Sequence, residues 1–70
     1  MDIRKQVGLN LRRLREARCL SQEELAFEAE LHRTYVSGVE RGVRNPTVTV
    51  LAKIAAALKV TPDQLLKAPR

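Results

Sequence analysis

The chain is punctuated by helix start and stop signals at intervals that leave room only for short helices. Ser21 and Glu24 have the spacing of a capping box, in which each side chain bonds the backbone N–H of the other residue. Thr47 precedes an apolar periodic segment, and residues 61–64 (Thr-Pro-Asp-Gln) combine a cap, a first-turn proline and a capping-box glutamine. Gly42 is placed as a left-handed helix stop. These signals predict a series of short helices joined by turns.

Apolar residues recur at three- and four-residue spacing, which is typical of amphipathic helices, and no segment has the pattern of a strand. We expect helices over residues 3–18, 22–30, 33–41, 48–58 and 62–67. Their apolar stripes contain Ile3, Val7, Leu11, Leu14, Leu25, Ala26, Ala29, Val36, Val39, Leu51, Ile54, Ala55, Leu58 and Leu65. The turn between the second and third helices is short enough to force a sharp angle, as in a helix-turn-helix. The predicted fold is all-α, a compact five-helix bundle with a central helix-turn-helix, in which residues 1–70 form a single domain.

Composition excludes several classes of protein. Thirteen Lys and Arg against eight Asp and Glu give a net charge of +5, which favours nucleic acid or an anionic membrane as the partner. Cys19 and His32 are the only residues of their types, so we expect no internal disulfide and no metal site. With no long apolar run and no signal peptide, the chain is predicted to be cytoplasmic. No polar pair lies where a pocket could form, so we expect no enzyme activity, no cofactor and no small-molecule ligand.

Three segments together resemble a known family. Residues 20–26 (Leu-Ser-Gln-Glu-Glu-Leu-Ala), 32–42 (His-Arg-Thr-Tyr-Val-Ser-Gly-Val-Glu-Arg-Gly) and 44–46 (Arg-Asn-Pro) look like the phage lambda repressor and Cro family, the XRE-type helix-turn-helix. The second segment is especially similar to controller proteins of restriction–modification systems. The resemblance implies a homodimeric transcriptional regulator that binds double-stranded DNA sequence-specifically, of controller or prophage-repressor type. It also implies a salt bridge between Arg15 and Glu40 that ties the first helix to the third.

Arg33 and Thr34 are the candidates for reading DNA bases. An α-helix fits the major groove with its N-terminal residues against base edges, and these two residues begin the third helix. Arg33 can bond guanine O6 and N7, and Thr34 suits a base edge or a thymine methyl group. The candidates for contacts to the DNA backbone are Gln22, Tyr35, Ser37, Arg41, Arg44 and Asn45. For Tyr35, half-buried packing is an equally good interpretation, and the two can coexist.

Some positions leave alternatives open. Gly38 lies one turn after Thr34, where relatives often carry a base-reading side chain. Its presence either leaves more of the recognition to DNA shape or lets the helix backbone approach the DNA closely. Relatives usually have glycine where this chain has Cys19, Glu30 and Lys59, each at a helix end. A left-handed conformation costs a non-glycine residue about 1–2 kcal/mol, so either these ends close differently or some stability is lost.

Val48, Val50, Val60 and Leu66 are surplus to the core stripes of the fourth and fifth helices, which makes them the candidates for a two-fold dimer interface. The alternative is that they close the fifth helix onto the domain. Relatives of this kind bind as homodimers on inverted repeats, with half-sites about one helical turn apart. Two other functions remain open: the antitoxin of a toxin–antitoxin pair, and a helical protein-interaction module without specific DNA readout. The latter predicts weak, salt-sensitive DNA binding and no effect of Arg33→Ala on sequence preference.

Overall fold

In the computed structural model, which describes residues 2–68, the chain forms five α-helices and no strand within that range. These helices are α1 (Ile3–Ala17), α2 (Gln22–Ala29), α3 (Arg33–Glu40), α4 (Val48–Leu58) and α5 (Asp63–Leu66). α1 packs against α3 and α5, α2 against α3 and α4, and α4 against α5. The predicted all-helical bundle is confirmed, and residues 1, 69 and 70 of the predicted domain lie outside the described residues.

Side-chain caps begin α2 and α4 at the predicted residues. Ser21 Oγ accepts a hydrogen bond from the backbone N–H of Glu24 at 3.0 Å, and the Glu24 carboxylate accepts one from the Ser21 N–H at 2.8 Å. The bond from the Ser21 N–H favours the ionised carboxylate and, with the nearby Ser21 side chain, lowers the pKa of Glu24. Thr47 accepts from the N–H of Val50 at 3.2 Å. The capping box and the threonine cap therefore form as their spacing predicts.

The two terminal helices begin differently from each other. The Asp2 carboxylate caps α1 by accepting from the Arg4 N–H at 2.8 Å, and it also accepts from the Arg4 guanidinium at 2.9 Å. The guanidinium bond, with the backbone bond second, lowers the pKa of Asp2 to about 2. α5 follows Pro62 without any side-chain cap. The N–H of Gln64 bonds the backbone carbonyl of Thr61 at 3.0 Å. The predicted Thr61 cap with a reciprocal Gln64 bond is wrong, because backbone groups close this turn.

Three helices end in the same left-handed turn, although none has glycine there. The left-handed residues are Cys19, Glu30 and Lys59, with φ of 58°, 58° and 59°. At the end of α2, the N–H groups of Glu30 and Leu31 bond the carbonyls of Phe27 and Ala26 at 3.2 and 2.8 Å, which is a Schellman motif. The other two ends repeat this pattern, and each is followed by a half-buried Leu or Val against the core. These helices therefore end in the left-handed turn that glycine usually forms, and each of the three non-glycine residues carries about 1–2 kcal/mol of backbone strain.

The core consists of aliphatic side chains from all five helices. Its buried members are Val7, Leu11, Leu25, Ala26, Ala29, Val36, Val39, Leu51, Ile54, Ala55, Ala57, Leu58 and Leu65. Ile3, predicted in the apolar stripe of α1, is instead 53% exposed at the start of that helix. The remaining stripe residues are buried or, for Leu14, partly buried against the core. Periodicity therefore identified nearly the whole core.

A buried amide joins the first helix to the last. The side chain of Asn10 is 2% exposed, and its Nδ2 donates to the carbonyls of Leu65 and Lys67 at 2.9 and 2.7 Å. Nearby, Gln6 Nε2 donates to the Leu66 carbonyl at 2.7 Å. These bonds satisfy carbonyls at the end of α5 that a four-residue helix leaves without helical partners. They hold α5 against α1.

Candidate nucleic-acid interface

α3 has a buried face and an exposed face. Val36 and Val39 are fully buried, whereas Arg33 and Thr34 are exposed and Ser37 is half-buried. Residues four apart lie on the same side of a helix, so Arg33 and Ser37 share one row that leads to residue 41. Thr34 and residue 38 form the neighbouring row. The two predicted base-reading residues therefore lie together at the exposed N-terminal end of α3.

α1 crosses α3 at close range because Gly8 has no side chain. A Cβ atom at Gly8 would lie 2.5 Å from the carbonyl oxygens of both Val39 and Glu40. Gly8 is buried at this crossing, so any side chain would force the two helices apart. Gly8 had no predicted role, although a glycine inside a helical pattern is a signal for close packing. Gly8 thus sets the distance between α3 and α1.

A buried ion pair fixes the other end of α3. Arg15 Nε and Nη2 donate to the two oxygens of Glu40 at 2.6 and 3.1 Å, with side chains 11% and 5% exposed. Arg15 Nη1 also donates to the Leu20 carbonyl at 2.7 Å, and Gln22 Nε2 donates to Glu40 at 3.0 Å. The bond to Glu40 raises the pKa of Arg15. The structure therefore brings together the two residues that the resemblance pairs, and it joins α1, α2 and α3 at one carboxylate.

Gln22 has a structural contact that sequence analysis missed. It is half-buried, and its bond to Glu40 uses one of the two hydrogens on its amide nitrogen. The contact spans 18 residues of sequence, so no local pattern indicates it. This bond leaves the second hydrogen of the Gln22 amide nitrogen for another acceptor.

The loop between α3 and α4 folds back onto α3. The N–H groups of Val43 and Arg44 both donate to the Gly38 carbonyl, at 3.0 and 3.3 Å. The guanidinium carbon of Arg44 lies 5.9 Å from the centre of the Tyr35 ring, within range of a cation–π interaction. Tyr35 is half-buried against the core, while Arg44 and the adjacent Asn45 are exposed. The loop candidates therefore lie beside α3.

Lys5 is a basic residue of this region that sequence analysis did not assign. Gly42 has a φ of 77° and lies under Lys5: a Cβ atom there would be 2.7 Å from Lys5 Cγ and 3.1 Å from Lys5 Cα. The exposed Lys5 side chain therefore adds a positive charge beside the loop that carries Arg44. The sequence offers only the sign of this charge, because its location depends on how α1 packs against the end of α3.

Charge is distributed unevenly along the chain. Between residues 31 and 62, Glu40 is the only acidic residue, and its carboxylate is bound to Arg15. Four of the eight acidic residues instead lie in the segment 23–30, and all four are exposed on α2 or at its end. We call Lys5, Arg33, Arg41 and Arg44 the basic surface. No exposed carboxylate of the segment 31–62 opposes its three arginines, while the exposed Asp2 lies near Lys5. The unopposed arginines suit a polyanionic partner.

The four residues predicted to form a dimer interface are not equally accessible. Val48 is 82% exposed and Leu66 is 45% exposed. Val50 and Val60 are half-buried and pack against the core of their own domain. Val60 follows the left-handed Lys59 and supplies the apolar contact that accompanies a Schellman motif. The prediction that all four are surplus to the core is therefore wrong for Val50 and Val60.

The described part of the chain was also compared with what a metal site, a reactive thiol or a membrane span would require. Within residues 2–68, no three His, Cys, Asp or Glu side chains converge as a metal site requires. Cys19 is an exposed free thiol, and His32 precedes α3 without a side-chain capping bond. None of the described helices has the length and apolar character needed to cross a membrane.

Comparisons with known proteins agree with this architecture. Residues 11–65 match the family described as Helix-turn-helix. The chain is 47% identical over 66 residues to the control protein C.BamHI of Bacillus amyloliquefaciens, covering 93% of this chain and 82% of that protein. It is 44% identical over 66 residues to the control protein C.SmaI of Serratia marcescens, covering 94% and 79% of the two chains.

Solved structures give the same result. The restriction–modification controller protein C.AhdI from Aeromonas hydrophila superposes with a TM-score of 0.87 at 48% identity, covering 89% of this chain and 94% of that one. A hypothetical transcription factor from Neisseria superposes with a TM-score of 0.93 at 46% identity, over 97% and 78% of the two chains. With its helical bundle, its central helix-turn-helix and these relatives, the chain belongs to the XRE-type helix-turn-helix family and is a DNA-binding transcriptional regulator.

Proposed function

We propose that the chain recognises its DNA by placing the N-terminal end of α3 in the major groove, where Arg33 and Thr34 contact bases. The observation that carries this proposal is the contrast within α3. Its first turn presents exposed side chains, whereas its inner face and C-terminal end are held by Gly8 and by the ion pair of Arg15 with Glu40. A rigid helix with an exposed, cationic first turn meets the geometric requirement for direct base readout.

The DNA backbone is contacted by residues around this helix. The predicted candidates are Gln22, Tyr35, Ser37, Arg41, Arg44 and Asn45, and the structure adds Lys5 as a further candidate. Arg41, Arg44 and Lys5 supply charge, while the other groups supply hydroxyl or amide hydrogens at the edge of α3. Such contacts fix the position and register of the helix on the duplex without reading sequence.

We also propose that the protein acts as a homodimer on an inverted repeat. α3 has eight residues and is about 12 Å long, enough for one half-site. Val48 on α4 and Leu66 on α5 are exposed apolar side chains available for a two-fold contact. The similarity to control proteins over more than nine-tenths of this chain supports a role as the controller of a restriction–modification system.

Selection of bound DNA from a random duplex pool at near-physiological salt tests the base-reading proposal. The wild type is expected to enrich an inverted repeat with half-sites about one helical turn apart. Arg33→Ala is expected to lose preference for a guanine in each half-site, worth about 1–3 kcal/mol of discrimination. Lys53→Ala is the matched control, because it removes a positive charge from α4 beside Glu28 and Glu30, and its selected sequence should equal that of the wild type.

Two outcomes would overturn this proposal. A variant Arg33→Ala that selects the wild-type sequence would show that Arg33 does not read bases. A wild type that enriches nothing above the starting pool would indicate a protein-interaction module instead.

The backbone contacts are tested by the salt dependence of binding. Arg44→Ala should weaken binding to all duplexes and lower the slope of log K against log salt by about one unit, since one phosphate contact is lost. A loss confined to particular sequences would mean that Arg44 enters a groove and reads bases or shape.

A further inference from the structure

The surface of α3 above Gly38 is occupied by the side chain of Arg44. A Cβ atom built on Gly38 would lie 2.5 Å from Arg44 Cγ, 3.4 Å from its Nε and 3.5 Å from its Cδ. All three of these nearest atoms belong to Arg44, and Gly38 is buried although it lies on the row of the exposed Thr34. The arginine stem therefore fills the space that a side chain at position 38 would take.

Backbone conformation does not require glycine at this position. The positive-φ glycine of the described chain is Gly42, and Gly38 has an ordinary helical backbone inside α3. A glycine in a helix interior is destabilising relative to alanine, so Gly38 needs another reason. The close approach of Arg44 is the reason that the structure shows.

The loop backbone holds Arg44 in this place. The N–H groups of Val43 and Arg44 both bond the Gly38 carbonyl, so the start of the Arg44 side chain is tied to α3 itself. From there the stem crosses Gly38, and the guanidinium ends 5.9 Å from the centre of the Tyr35 ring. An arginine ordered in this way has already lost much of the rotamer freedom that binding would otherwise remove.

We propose that Gly38 is a positioning residue for DNA binding: its missing side chain seats Arg44 along α3, so that a loop arginine is presented to DNA as part of the recognition helix. This inference rests on the proposed function, in which Arg44 contacts DNA. It differs from both earlier interpretations of Gly38, because neither DNA shape nor a close approach of the helix backbone to DNA is needed to explain the glycine.

A methyl group at position 38 has a defined effect on this arrangement. The Arg44 backbone is bonded to the Gly38 carbonyl and stays in place. The Arg44 Cγ atom can therefore move away from a methyl group at position 38 only by rotation about the first side-chain torsion of Arg44. That rotation carries the guanidinium away from the Tyr35 ring. Folding should not suffer, because alanine is the better helix former and the displaced group is an exposed side chain.

A double-mutant cycle with Gly38→Ala and Arg44→Ala tests the proposal, using dissociation constants on the selected duplex and thermal unfolding of each variant. In the wild-type background, Gly38→Ala should weaken binding by about five-fold, within the roughly 2- to 150-fold range of coupled neighbours. In the Arg44→Ala background, the same change should alter the dissociation constant by less than about two-fold. Tm should stay unchanged or rise in both backgrounds.

The matched control is the same cycle with Arg41→Ala, which removes a nearby charge that does not lie over Gly38. There, Gly38→Ala should keep its full effect, because Arg44 is still present to be displaced. The proposal is supported if the effects of Gly38→Ala and Arg41→Ala on the binding free energy add, while those of Gly38→Ala and Arg44→Ala do not.

The outcomes that overturn it are distinct. An equal loss of affinity from Gly38→Ala with and without Arg44 would mean that the methyl group collides with DNA itself. No loss from Gly38→Ala, while Arg44→Ala still weakens binding, would refute the positioning role and leave the proposed function standing. If Arg44→Ala does not weaken binding, the proposed contact of Arg44 with DNA fails, and the role of Gly38 fails with it.

Discussion

Replacing Glu40 with alanine removes the carboxylate at which α1, α2 and α3 meet. Glu40 accepts two hydrogen bonds from Arg15 and one from Gln22, and its side chain is only 5% exposed. The variant leaves Arg15 as a largely buried cation, 11% exposed, that retains the Leu20 carbonyl as its hydrogen-bond partner. The uncompensated charge, rather than the lost attraction, sets the penalty.

The magnitude follows from this geometry. Removing one partner of a buried pair costs about 3–5 kcal/mol. Because Arg15 keeps its bond to Leu20 and some contact with water, we expect a loss of about 3 kcal/mol, near the lower end of that range. A domain of 70 residues has a total stability of about 3.5–10 kcal/mol, so this variant is left close to its unfolding threshold.

Urea unfolding followed by far-ultraviolet circular dichroism measures this loss. With an m-value of about 1 kcal/mol per molar urea, the midpoint should fall by about 3 M. Glu16→Ala is the control, since its pair with Arg12 has side chains 57% and 64% exposed and should contribute less than about 1 kcal/mol. If Glu40→Ala costs no more than Glu16→Ala, the argument from burial is refuted.

Three further predictions concern stability. Lys59→Gly should raise the free energy of unfolding by about 1 kcal/mol, because glycine adopts the left-handed conformation without strain; a lower Tm would contradict this. Asn10→Ala should destabilise the fold by about 2–3 kcal/mol in urea unfolding, because the bonds of this buried amide to the carbonyls of Leu65 and Lys67 are lost. A smaller effect than that of Glu16→Ala would show that Asn10 does not hold α5 against α1. Asp2 and Glu24 have lowered folded-state pKa values, so the stability that they contribute is present above about pH 4 and is lost as pH falls through the folded pKa, for Asp2 about 2. The protection factors of amides in the first turns of α1 and α2, corrected for the intrinsic pH dependence of exchange, should fall over that range, and a flat profile would contradict this.

The elements that sequence predicted well are those with local causes. The capping box of Ser21 with Glu24 and the cap at Thr47 depend on residues three apart, and both form at the predicted places. Helix bounds followed from such signals to within one or two residues. The core followed from periodicity, since four-residue spacing places side chains on one face whatever the neighbouring helix is.

The misses have non-local causes. Val50 and Val60 were predicted to be surplus to the core because a periodic pattern cannot show which apolar residues close the domain's own core. The bond of Gln22 to Glu40 depends on how α2 meets α3. The space above Gly38 is filled by Arg44, six residues later, and no local sequence pattern indicates this contact between the loop and α3. In each case the deciding partner lies on another element.

The bonds between α1 and α5 also constrain how the protein is made. Asn10 and Gln6 bond carbonyls that lie 55 to 60 residues later in the chain. At about 5–20 residues per second, a ribosome needs about 3–12 s to add that stretch, and during this time the amides of Gln6 and Asn10 lack their carbonyl partners. Helical bundles fold in microseconds to milliseconds once their contacts are available. The period in which the nascent domain is open to chaperones and proteases is therefore set by translation speed, and it ends when α5 emerges from the ribosome.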